Sequence, residues 1–146
     1  MLGDRALLLV FVGAIGAGVA GCGRSDQERS QAAKVLRALE VVRAAPNQAK
    51  LRPADELAHA PCSSPVVCGA RDRCAEAYHH LALGTEAAQR VKDELDRLET
   101  TPPGPPEKMA KLSAALDLAD REIGGAKDSM RQCEEAASLM RRTFGI

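Results

Sequence analysis

Two long stretches of the chain repeat apolar residues at alternating spacings of three and four, with a segment between them that cannot be helical. In the first stretch Val67, Ala70, Cys74, Ala77, Leu81, Gly84, Ala88, Val91, Leu95 and Leu98 keep this spacing. In the second Met109, Leu112, Leu116, Ala119, Ile123, Ala126, Met130, Cys133, Ala137, Met140 and Phe144 do the same. An alternation sustained this long marks the seam of paired α-helices, because it keeps one narrow stripe turned toward a partner. Thr101-Pro102-Pro103-Gly104-Pro105-Pro106 separates the two, and consecutive prolines remove backbone donors and block a helix. Folding the second helix back on the first buries both stripes together. The chain is therefore expected to be all-α, built on an antiparallel, coiled-coil-like helical hairpin of residues 65–100 and 107–143.

Centring the reversal between Pro103 and Gly104 sets Leu98 against Met109, Leu95 against Leu112, Val91 against Leu116, Gly84 against Ile123, Leu81 against Ala126 and Ala77 against Met130. In most layers small residues then meet large ones or other small ones; Ala88 faces Ala119, Ala70 faces Ala137 and Val67 faces Met140. The same register sets Cys74 against Cys133, among alanines that let two backbones come within the roughly 7 Å between Cα atoms that a disulfide requires. Leu83, Ala87, Ala115, Leu118, Ala136 and Leu139 lie off the seam as a second apolar stripe, open to a further helix or to a partner. Gly124 and Gly125 read as a tolerated surface pair, weakening their helix by about 1 kcal/mol each relative to Ala.

Ahead of the hairpin, Ser25-Asp26-Gln27-Glu28 has the form of a capping box. Ala32, Val35, Leu39 and Val42 follow at 3-4-3 spacing, widened by Leu36 and Ala38, up to the stop at Pro46-Asn47. A first helix over about 26–45 follows. Packed on the hairpin, it makes a three-helix bundle and a single helical domain of 26–146. Residues 47–64 read as a connector in which Pro53-Ala54-Asp55-Glu56 suits the start of one short helix. Ser64-Pro65 suits the N-cap and first position of the long one.

The extreme N-terminus has another logic. Met1-Leu2-Gly3-Asp4-Arg5 is charged, and Ala6 to Ala20 is apolar but too short for a comfortable membrane span of roughly 20 residues. It closes on Val19-Ala20-Gly21-Cys22, an aliphatic residue, a small one, Gly and Cys. This resembles the lipobox of bacterial lipoproteins. The resemblance implies that residues 1–21 are a signal peptide cut before Cys22. It also implies that the Cys22 thiol carries a diacylglyceryl group, and that the new amino group is acylated, palmitate being the expected acid. Residues 22–25 are then a short lipid-attached tether. Asp4 departs from the usual positive start, and an ordinary secretory signal is the competing reading. Gly23 lacks the acidic character of an inner-membrane retention signal, so the expected address is the bacterial cell envelope, facing the periplasm, at the outer rather than the inner membrane. Each buried methylene adds about 0.8 kcal/mol to membrane anchoring.

Four other cysteines remain, Cys62, Cys68, Cys74 and Cys133, an even number in an oxidising compartment. The hairpin register selects Cys74–Cys133, leaving Cys62–Cys68; the competing connectivity is Cys68–Cys133 with Cys62–Cys74. A metal site from His59, Cys62, Cys68, Cys74, His79 and His80 is the sharper alternative, since these are zinc and copper ligands. The five-residue gaps between cysteines do not match the short spacings of zinc knuckles. His79-His80 otherwise read as a solvated helix face beside Tyr78.

Twenty basic and twenty acidic residues cancel, which gives no electrostatic footprint for nucleic acid. One Tyr, two Phe and no Trp supply no stacking platform. Three histidines on rod-like helices are poor material for a catalytic cleft, and Ser63-Ser64 near His59 read as loop polar groups and an N-cap. The expectation is a non-enzymatic, cofactor-free envelope lipoprotein with a structural or protein-interaction role, its partners the membrane and an envelope protein. The alternative is a small-ligand or metal-binding lipoprotein using 59–80.

Overall fold

The computed structural model describes the backbone of residues 20–100 and 106–146 and the side chains of 25–98 and 106–146. Residues 1–19, where a signal peptide is expected, the Cys22 side chain, and residues 101–105, where the reversal is expected, lie outside these. The elements run α1 (Ala20–Ala44), one 3₁₀ turn (Asn47–Ala49), α2 (Leu51–Ala58), α3 (Pro65–Thr100) and α4 (Pro106–Phe144). Among the described residues there is no strand, and the molecule is an all-α helical bundle.

The long helices begin and end where local chemistry says they should. Ser64 Oγ accepts the Val67 N–H at 3.3 Å, with Pro65 as the first helical residue of α3. α4 closes on Gly145 at φ 63°, whose N–H donates to the Arg141 carbonyl at 2.9 Å; the left-handed conformation costs glycine little. α3 and α4 are antiparallel in the expected register. Cys74 and Cys133 are bridged with 4.5 Å between Cα atoms. A Cβ built on Gly84 would stand 2.7 Å from Ile123 Cγ1.

Three expectations are corrected. α1 begins at Ala20, not at the Asp26 capping box, so residues 22–25, expected as a tether, are helical backbone and run without a break into the bundle. α2 begins two residues ahead of Pro53. Proline is tolerated that early because the first turn has no intrahelical acceptors for its N–H groups. α2 buries Ala54 and Leu57, and so is a fourth member of the bundle rather than part of a connector. Finally, Leu95, Met109, Leu116 and Ile123, expected inside the seam, are 48, 48, 49 and 44 % exposed. A helix of 3.6 residues per turn rotates away from a strict seven-residue repeat by about 20° per heptad. Far from the bundle the buried rows are Ala82, Ala87 and Val91 on α3 and Ala119 on α4, and the large residues turn to the flank.

The core sits at one end. Val35, Leu39 and Val42 of α1, Leu57 of α2, Val67 and Cys74 of α3, and Cys133 and Met140 of α4 are fully buried there. α1 runs antiparallel to α4: Arg29 donates to the Gly145 carbonyl at 3.3 Å, and further along Arg43 pairs with Glu134. Lys50, 5 % exposed, closes the C-terminus of α1. Its Nζ donates to the carbonyls of Val42 at 2.7 Å and Arg43 at 3.1 Å, and it lies 5.5 Å from the Tyr78 ring centre.

Candidate functional site

Three places carry chemistry. The first is the pole where α1 begins. Arg29 is level with the end of α4 through Gly145, so the seven residues from Cys22 to Glu28 carry the helix about 10 Å past the bundle. Among the described residues no helix is long and apolar enough to cross a membrane.

The second is segment 59–80, which does not converge on one point. Cys62 and Cys68 are bridged with Cα atoms 5.2 Å apart, clamping the entry to α3, and Cys74 is bonded to Cys133. All four sulfurs are therefore bonded in pairs and none is a thiolate. His59 Nδ1 lies 2.7 Å from the Asp55 carbonyl. His79 Nδ1 lies 3.7 Å from the Asp55 carboxylate on α2. His80 Nδ1 is hydrogen-bonded to Glu122 on α4, with Nε2 3.9 Å from Glu76. Among the described residues no three His, Cys, Asp or Glu side chains are grouped to hold a metal ion. The adjacent histidines instead face different neighbours, so the solvated face expected of His79-His80 holds only for His79. Tyr78 is buried. Ser63 Oγ donates to Gln31 Oε1 at 2.7 Å, a bracing contact to α1.

The third is the outer half of the hairpin. The continuous core reaches Leu81 on α3 and Met130 on α4 and stops. Beyond it the two helices continue as an arm roughly 30 Å long. One face of this arm carries Leu95, Met109, Leu116 and Ile123, each nearly half exposed. Leu116 and Glu134 are 18 residues apart, about five full turns, so they share a direction on α4. Ala77 and Leu95 have the same separation on α3. Glu134 is where α1 docks through Arg43, and Ala77 is fully buried in the core. On α4 the bare face of the arm is thus in line with Glu134, the residue that α1 reaches at the base, and on α3 it is in line with the core. The second stripe expected from the sequence lies elsewhere: Ala87 and Ala136 are buried, while Leu139 is 48 % exposed and left uncovered.

The fold and its bridges define a class, the disulfide-stapled all-α bundles, extended here by a two-helix arm. No family model, no curated protein and no solved structure matches the chain. Sequence reasoning missed Lys50, Glu122 and Asp55, whose roles depend on which elements meet. A lone lysine in a proline-rich connector gives no local sign that it will cap a helix before it.

Proposed function

We propose that this chain is a lipid-anchored, periplasm-facing helical lipoprotein of the bacterial cell envelope, at the outer membrane, with a structural or protein-interaction role. The lipobox-like Val19-Ala20-Gly21-Cys22 supplies the anchor. One structural observation supports the reading best: Cys22 lies in a helix that starts at one pole and passes directly into the disulfide-stapled bundle, while the bare arm leaves from the other pole. An acyl group on Cys22 then holds the bundle against the membrane surface, and α3, at 36 residues, carries the arm about 54 Å outward. Two bridges suit an oxidising compartment.

Metabolic labelling with an alkyne fatty acid tests this. The wild-type chain is expected to take up label at an acylated Cys22 and to lose it in Cys22→Ser, which stays as unprocessed precursor. An unlabelled mature chain, with a free amino group at another residue, overturns the proposal.

A further inference from the structure

We infer that the bare face of the arm is the seat of an amphipathic helix from another envelope protein, lying in line with α1 and carrying a basic residue on its α4-facing edge. The inference rests on the interaction role proposed above, not on the lipid.

The face already shows what it accepts. At the base it takes α1, whose buried Ala32, Val35, Leu39 and Val42 stand at 3-4-3 spacing. Along the arm, Leu95 on one side and Leu116, Ile123 and Met109 on the other continue the two walls of that groove, and α1 itself ends at Ala44. A helix laid in a groove between two helices, anchored at every third or fourth residue, is the economical way to cover such walls. An arm of roughly 30 Å takes a helix of about 20 residues.

Charge sets the second requirement. Glu134 on α4 is paired with Arg43 of α1. Asp120 occupies the same heptad position two repeats earlier and is exposed, and no base among the described residues is seated on it. Two heptads turn Asp120 by about 40° relative to Glu134, an offset that a long basic side chain on the occupant's α4-facing edge spans. A second copy fits less well. Two copies standing side by side with these faces together have both α1 helices between them, which keeps the arms apart.

The test places a photo-crosslinking benzophenone amino acid at Leu95, at Leu116 or, as a control on the uncovered opposite side, at Leu139, in the full lipidated chain in cells. Adducts from Leu95 and Leu116 are expected to map by mass spectrometry to one segment of one other protein, with apolar residues at 3-4 spacing and Lys or Arg along one edge. Asp120→Arg is expected to lower that adduct by about fivefold, the upper range for an exposed ion pair, with helical circular dichroism and both disulfides unchanged. Leu116→Asp is expected to abolish the Leu95 adduct. Adducts at twice the chain's own mass, adducts to lipid, equal adducts from Leu139, or no adduct at all would overturn the inference. Fatty-acid labelling of the same cells separates the two ideas: labelled protein without the mapped adduct removes the groove alone, and the mapped adduct on unlabelled protein removes the anchor alone.

Discussion

Gly84 and the Gly124-Gly125 pair have opposite uses. A Cβ on Gly84 would meet Ile123 Cγ1 at 2.7 Å and the Ile123 backbone N at 3.0 Å, and backbone cannot step aside. Gly84→Ala is therefore expected to destabilise the protein by about 1–3 kcal/mol. Nothing lies within 4 Å of a Cβ on Gly124 or Gly125, so Ala at either is expected to stabilise α4 by up to about 1 kcal/mol; urea melts of the three variants check both signs. Lys50 yields a pH effect. Burial holds its ammonium below the ordinary 10.5. The unfolded chain then keeps this proton to higher pH than the folded one, so the group adds stability as pH rises through its folded value toward 10.5. As pH rises toward 10.5 the urea midpoint of the wild type is expected to gain on that of Lys50→Met. At neutral pH the substitution leaves the Val42 and Arg43 carbonyls without their donor, at a cost of about 1–3 kcal/mol.

At the level of elements, the two bridges differ in what they close. Cys74–Cys133 spans a sequence separation of 59 and joins the two long helices inside the core, both cysteines being almost wholly buried. Cys62–Cys68 spans 6 and is only partly buried. Removing the first as Cys74→Ala with Cys133→Ala is expected to cost about 4 kcal/mol, and removing the second about 2 kcal/mol. Under mild reductant, alkylation and peptide mapping should find Cys62 and Cys68 modified first, because the buried pair offers a thiol no access. The hairpin and its register were legible in advance because spacing, the proline run and the position of two cysteines are all local facts of the chain. The start of α1 was not: a capping box is permissive, and nothing in Ala20 to Arg24 forbids a helix. The short α2 was underestimated for a related reason, since its apolar pair Ala54 and Leu57 gains meaning only when α1 and α3 supply the other walls.

For the molecule as a whole, the split between a four-element base and a two-helix arm predicts uneven stability. The base buries Leu39, Leu57, Val67 and Met140 completely, whereas the arm buries mainly Ala87, Val91 and Ala119 and leaves four large residues half exposed. Amides at 85–98 and 109–122 are therefore expected to exchange with deuterium faster than those at 66–80 and 130–142, read by mass spectrometry; equal protection would contradict the division. The sequence by itself determined the helical class, the antiparallel pairing and which cysteines face each other, because a long apolar period and a forced reversal leave one economical way to bury a stripe. It also fixed Cys22 as the candidate for lipid. Only the tertiary structure decided which part of the seam is covered. That depends on where α1 ends, on the drift of a 3.6-residue helix away from a seven-residue repeat, and on Lys50, His80 and Glu122 finding partners from other elements. A residue's spacing states that it can face a neighbour, whereas its burial depends on a neighbour being there.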